Sequence, residues 1–280
     1  MSETSIVSLL SHLPQGQSTV PVLNPATGKK IYDLQQLSAE QVVDAVAKAR
    51  DYQLTLAKTG LPQRQRLLMN LHDILLGSDE KLMDLVQLET GKSRAHAFEE
   101  TVGAIAAASY YGKISVKTLA RRHTRAGVPL LTKTYVDQVP VGVVGIVTPW
   151  NYPLALTLLD VLPALAAGNA VVQKVDNQTA LTALFARHLA IEAGWPEEAW
   201  TIVTGDGETV GNALVDSVDY VAFTGSTATG LKVAQRASAR LIGYSLELGG
   251  KNPMIVLEGA NIKRAAEIAI AGAFGSAGQL

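Results

Sequence analysis

Apolar residues follow two different rhythms along this chain. Up to about residue 138 they recur every three or four positions, the spacing of amphipathic helices. Ser38 with Gln41 forms a capping-box pair ahead of VVDAVAKAR. Pro62 is placed to open PQRQRLLMNLHDILL, because proline fits the first turn of a helix. SDEKLMDLVQLET follows and Gly91 ends it, and a long helix is expected over roughly 93–119. After RRHTRAG, the stretch PLLTKTYVDQVP alternates like an exposed strand, expected near 129–138.

Beyond residue 139 the rhythm becomes short apolar runs separated by helical segments. Strands are expected at 142–148, 170–175, 200–205, 220–225 and 244–250, with a sixth in PMIVL at 253–257. Helices are expected near 153–167, 178–193, 207–215, 226–239 and 261–275. Strands that are apolar on both sides and alternate with helices imply a parallel sheet covered on both faces. The expected fold is therefore α/β, a doubly wound parallel sheet, with an N-terminal helical segment over 1–138 and the sheet over 139–280. Such sheets bind ligands beyond the C-terminal ends of their strands.

Composition narrows the function. The chain has 280 residues, 48% of them hydrophobic, enough for a sizeable core. Its 24 Lys+Arg against 25 Asp+Glu give a net charge of −1, which argues against a nucleic-acid partner. The one basic cluster, Arg121, Arg122, His123 and Arg125, reads as a solvated turn. There is no cysteine, so these residues hold no disulfide, no thiolate metal site and no thiol nucleophile. The five histidines show no metal-ligand spacing, and no metal is expected. Glu3 stands where a secretory signal would carry positive charge. From Val139 to Val172 only Asp160 is charged, yet Pro149, Asn151, Pro153, Pro163 and Gly168 break that run, so it is read as strand and helix, not as a membrane span. A cytoplasmic protein without a membrane partner is expected.

The candidate chemistry lies at the strand ends. In TPWNYP, residues 148–153, Asn151 can aim its amide at a developing oxyanion, or simply sit in a proline-rich turn. Lys174 can reach sugar or phosphate oxygens, or be a solvated lysine. Gly225 and Gly230 bracket a turn into a helix whose free N–H groups favour phosphate. Leu231-Lys232 follows Gly230 in place of Lys-Ser/Thr, which rules out a nucleoside-triphosphate loop. Gly205, Gly207 and Gly211 form an irregular dinucleotide-like glycine set. Glu247, in an apolar strand end, is expected to be partly desolvated and so raised toward a general-base range, or to pair with Lys251 at the surface.

TPWNYP, AGNAVVQK, FTGSTATG and LELGGKNP, in this order, resemble the aldehyde dehydrogenase superfamily. The resemblance begins near NPATGKK and covers nearly the whole chain. It implies a cysteine thiolate that attacks an aldehyde, hydride transfer to NAD(P), and hydrolysis of a thioester. By motif, Asn151 would donate to the oxyanion and Glu247 would activate the thiol or the hydrolytic water. Thr148, Trp150, Lys174, Asn177, Gly207, Gly225, Ser226 and Leu248 would line the cofactor, with Ser226 at the pyrophosphate. The resemblance also implies that the nucleophile would follow Leu280 directly, that the catalytic domain is missing from these residues, and that the full-length form is a homo-oligomer. Two departures are visible. Val175 replaces the family's usual proline after the lysine, which loosens the turn. Asn177 replaces the glutamate that NAD-preferring members place on the adenosine ribose, which tilts the expected cofactor to NADP with NAD possible. The VDNQT stretch resembles bacterial succinate-semialdehyde dehydrogenases that use NADP. A non-catalytic dinucleotide-binding module, or a fragment that pairs with other subunits through 121–138, are the competing readings.

Overall fold

The computed structural model describes residues 3–128 and 130–279. Pro129 and Leu280, which fall in two of the stretches singled out above, lie outside the described residues.

The chain opens with helix α1 (Glu3–Leu10) and an antiparallel pair, β1 (Ser18–Leu23) with β2 (Lys30–Gln36). Helices α2 (Ala39–Leu56), α3 (Leu61–Gly77), α4 (Asp79–Thr90) and α5 (Arg94–Leu119) follow. Their ends obey local chemistry. The Ser38 hydroxyl accepts from the Gln41 N–H at 3.2 Å while the Gln41 side chain accepts from the Ser38 N–H at 3.0 Å, so the expected capping box is formed. Gly91 ends α4 with φ 72°, a left-handed value that glycine adopts without strain.

A small hairpin, β3 (Arg122–Thr124) with β4 (Thr134–Val136), projects next. The basic cluster is thus half strand, not a turn. Its register sets His123 against Tyr135, and Arg121 pairs with Asp137 at 2.6 Å. The strand expected over 129–138 shrinks to the three residues that find partners.

The main sheet is built from β5 (Val143–Val147), β6 (Ala170–Lys174), β7 (Trp200–Val203), β8 (Tyr220–Gly225) and β9 (Gly243–Leu248). All neighbours are parallel, in the order β7-β6-β5-β8-β9. The connecting helices are α6 (Pro153–Ala166), α7 (Ala180–Glu192), α8 (Asn212–Val215) and α9 (Thr227–Ala239), and α10 (Ile262–Phe274) comes after the last strand. A single π-helical turn, Gly207–Gly211, leads into α8. Sequence order reverses between β5 and β8, which makes the space beyond their C-terminal ends the topological switch point.

One face of the sheet is covered by α2, α8 and α9, whose Val42, Val46, Leu214, Val215 and Val233 pack together with Val143, Val172 and Val221. On the other face the apolar cluster joins α6 and α7 to α3, α4 and α5. Leu68, Leu85 and Ala104 share that cluster with Ile146 and Leu158, so the core runs across the boundary expected near residue 138.

Glu89 bolts these layers together. It is fully buried in α4 and accepts from Tyr32 Oη at 2.7 Å, from the Leu181 and Thr182 N–H groups at 2.9 Å, and from Thr182 Oγ1 at 2.7 Å. The two backbone donors are free N–H groups in the first turn of α7, so a side chain from another helix caps it.

The sixth strand expected at 253–257 is not formed: these residues are coil without ladder partners. β-prone side chains need a neighbouring strand or a packed face, and here Ile255 and Leu257 are 77% and 72% exposed. The edge strand β9 is mostly exposed and α10 buries none of its residues. Leu241, Ile262, Ile270 and Phe274 add to this apolar surface. Among the described residues, no helix is long and apolar enough to cross a membrane.

Candidate active site

Two cavities meet at the switch point. The first, of about 770 Å³, lies beyond β5, β6 and β8 and is lined by Thr148, Trp150, Lys174, Gly207, Gly225 and Ser226, with Asp176 and Asp206 at its rim. The second, of about 930 Å³, is lined by Asn151, Tyr152, Asp160, Glu247, Leu248 and Gln279, among others. Pro149, Trp150 and Thr224–Ser226 belong to both and form the wall between them.

Six of the eight residues expected to line a cofactor are brought together in the first cavity. Thr148 is buried and its hydroxyl accepts from Gln173 Nε2 at 3.0 Å, which locks the strand end. Lys174 closes β6 at the cavity wall, where burial depresses its ammonium pKa and the carboxylates of Asp176 and Asp206 pull it back up. Ser226 caps α9, accepting from the Thr229 N–H at 3.2 Å, so the start of this helix opens into the cavity. Gly225 is required at the wall, since a Cβ there would come within 2.7 Å of the Phe223 ring. Asp206 accepts from the Thr209 N–H at 2.6 Å, which holds its carboxyl below the usual range and shapes the turn that carries Gly207.

The other two differ. Leu248 lines the second cavity. Asn177 lines neither: its Nδ2 donates to Gln36 Oε1 at 3.0 Å and its Oδ1 accepts from the Gly205 N–H at 3.1 Å. The amide is consumed in joining the end of β2 to the loop after β7, and the carboxylate of Asp176 lines the first cavity instead.

In the second cavity, Asn151 occupies the turn between β5 and α6, and its Nδ2 donates to the Gln279 carbonyl at 2.8 Å. Of the four buried side-chain polar atoms without a partner among the described residues, three are Asn151 Oδ1, Gln279 Oε1 and Ser276 Oγ. Asn151 and Gln279 both line this cavity, so two of these unpartnered oxygens belong to its wall. Ser276 and Ala277 also carry left-handed φ values of 54° and 59°, costly for residues with a Cβ.

Glu247 lines this cavity, but the expected desolvation is not found: it is exposed, on an edge strand whose residues are mostly open among the described residues. The perturbed carboxyl is Asp160 on α6, pushed up to about 6 first by burial and then by the charge of Glu247. A carbon-13 titration of the Asp160 carboxyl should show a midpoint near that value. The midpoint should fall in Glu247→Gln, and an Asp160 that titrates with ordinary carboxylates in both proteins would refute the coupling.

Sequence reasoning did not single out Asp160, Asp176 or Gln279 for this site. Asp160 was visible as the lone charge in an apolar run. Asp176 stood inside the VDNQT stretch and Gln279 near the end of the chain, and both are placed by the turns around them. Among the described residues, no cluster of three or more His, Asp or Glu could hold a metal ion.

The aldehyde dehydrogenase family matches residues 12–280. A Mycobacterium ulcerans protein named "Putative succinate-semialdehyde dehydrogenase, NADP(+), 2" is 46% identical over 254 residues, 91% of this chain and 49% of its own length. A phenylacetaldehyde dehydrogenase of Pseudomonas fluorescens is 39% identical over 95% of this chain and 55% of its own. An aldehyde dehydrogenase from Bacillus cereus superposes with a TM-score of 0.92 at 29% identity, covering 100% of this chain and 60% of that one. PnpE in complex with nicotinamide adenine dinucleotide gives 0.91 at 34% identity, covering 96% and 55%. The chain spans about half the length of the curated relatives it matches.

Proposed function

The chain belongs to the aldehyde dehydrogenase family, and from that premise we propose that it carries the cofactor site and part of the aldehyde-facing cleft of an NADP-dependent aldehyde oxidation, with NAD as a second cofactor. The observation that carries this reading is the pair of cavities at the β5/β8 reversal, divided by a wall of Trp150 and Thr224–Ser226. The first cavity suits a dinucleotide: it has the volume of a ligand site, a glycine where a Cβ would clash, a lysine at its wall and a helix start turned into it. Lys174 would meet ribose or phosphate oxygens and Ser226 the pyrophosphate. When bound, the cofactor supplies the hydride acceptor. Across the wall, the second Nδ2 proton of Asn151 would donate to a developing oxyanion, and Glu247, open to solvent, would accept a proton from an attacking group or water.

The names of relatives make succinate semialdehyde the first substrate to test. Asp160 and Glu247 make this side of the cleft acidic, and no Lys or Arg stands among the described residues lining it. A substrate carboxylate would therefore need its cation from outside this wall. A second reading, a dinucleotide-binding module without catalysis of its own, is favoured by one fact: none of the 280 residues is cysteine. For assembly, we place a copy-to-copy contact at the β3–β4 hairpin, where Leu131, Tyr135 and Val136 are exposed.

Calorimetric titration with NADP+ tests the cofactor reading. Saturable binding with no aldehyde consumption by this thiol-free polypeptide is expected, and failure to bind either dinucleotide would end it. Asp176→Asn gives a finer prediction. The asparagine keeps the turn bond that Asp176 accepts from the Gln178 N–H at 2.9 Å and removes a charge facing the 2′-phosphate. Two such charges about 4 Å apart and fully solvated repel by about 1 kcal/mol, so NADP+ should bind at least about fivefold tighter while NAD+ does not gain.

A further inference from the structure

The turn bearing Asn151 is poorly equipped to hold itself. Tyr152 is the N-cap of α6 but its side chain makes no capping bond, and Pro153 has no N–H. The free N–H groups of the first turn are met by Glu100, on α5: its Oε1 accepts from Leu154 at 2.8 Å and from Ala155 at 3.3 Å. Its other oxygen, Oε2, accepts from Lys92 Nζ at 2.7 Å, and both side chains are fully buried. Lys92 Nζ also lies 3.5 Å from the centre of the Tyr152 ring, over its face. One carboxylate and one ammonium thus grip the residues directly after Asn151, from helix α5 and the loop before it.

This arrangement is an expensive way to gain stability. Two fully buried charges lose their hydration, and a packed apolar pair of similar volume is often at least as stable. Burial depresses the Lys92 pKa, while Glu100 pulls it back up. What the ion pair supplies beyond packing is direction: charge-assisted bonds fix the start of α6, and the cation fixes the plane of the ring next to Asn151.

We propose that Lys92 and Glu100 are positioning residues for Asn151, holding the 151–155 turn so that the Asn151 amide keeps one orientation in the cleft. The proposal rests on the reading of Asn151 as the oxyanion donor. Neither residue lines either cavity, so they act through the turn and not on a ligand.

The test is the hydrogen exchange of the Asn151 side-chain amide in the nitrogen-15-labelled chain, with the peak assigned by its loss in Asn151→Asp. The double variant Lys92→Met/Glu100→Gln removes both charges at once, so no buried charge is left unpaired. The expected result is exchange faster by about tenfold at Asn151, the equivalent of losing one ordinary hydrogen bond's worth of restraint. The Asn169 side-chain amide, held at the far end of α6 by the Ala164 carbonyl at 3.1 Å, should exchange as before. NADP+ affinity should also be unchanged, and a wild-type chain that binds no dinucleotide would count against the proposed function, not against this clamp. Unchanged exchange at Asn151 in a folded double variant overturns the proposal, as does equal acceleration at Asn169. If the double variant does not fold, Tyr152→Leu decides. It removes the ring under the cation and leaves the pair intact. Faster Asn151 exchange at an unaltered melting temperature supports the clamp, and no change overturns it.

Discussion

Glu89→Ala should lower the unfolding free energy by about 3–5 kcal/mol, the range for breaking a buried charged network. Four donors lose their acceptor at once: Tyr32 Oη, the Leu181 and Thr182 N–H groups, and Thr182 Oγ1. An unsatisfied buried donor costs about 1–3 kcal/mol, and neighbouring losses share relaxation, so the sum stays below four independent penalties. Urea unfolding followed by circular dichroism measures it, and a loss below about 1 kcal/mol would show that water replaces the carboxylate without cost.

The same carboxyl gives stability a pH dependence of definite sign. Burial pushes Glu89 up to about 7 from an ordinary 4.5, with its hydrogen bonds opposing the shift. Between those values the folded chain binds more protons than the unfolded one, so unfolding free energy rises as pH falls from about 7.5 toward 5. The full window is worth about 3 kcal/mol. Asp160, raised from 3.8 to about 6, adds in the same direction over a lower window. Glu89→Gln should flatten the upper part of the curve, and a wild-type stability that climbs from pH 5 to 7.5 would contradict the assignment.

Lys174→Ala should weaken NADP+ binding by about 10- to 100-fold, the value of one hydrogen bond from a charged donor in a partly buried site. The lysine ends β6 at the cavity wall, and in its absence the charged lining is Asp176, Asp206 and Glu208 with Lys232 as the other cation. Those carboxylates would then face the phosphates with one cation fewer, so the loss should exceed that of a neutral contact. The melting temperature should change little, because the sheet contact of Lys174 is made by its backbone, paired with Val147 and Val203. Calorimetry reads the affinity directly, and an unchanged dissociation constant would move the phosphates away from β6.

Much of this was legible in the chain itself. Five strands and their connecting helices followed from apolar runs of strand length set between helical repeats, and the capping pair Ser38–Gln41 marked its helix to the residue. The lining of the first cavity was legible because backbone demands write it locally: Gly225 where a Cβ would meet the Phe223 ring, Ser226 where a helix needs a cap, Thr148 and Lys174 at strand ends. The strand at 253–257 failed because its apolar residues state a preference that only a partner strand can realise.

What the residues alone determined is the order of elements and hence the doubly wound sheet, since periodicity and turn chemistry act over a few neighbours. What only the tertiary structure decided is the electrical character of the site. Which carboxylate is partly buried, Asp160 and not the exposed Glu247, depends on what packs around α6 and along the edge strand β9. Whether Asn177 or Asp176 faces the cavity depends on Gln36 and Gly205, far from both in the chain. That Glu100 and Lys92 steady the Asn151 turn depends on α5 crossing the start of α6. Desolvation and hydrogen bonding are set by neighbours in space, and a linear sequence does not record which side chains those are.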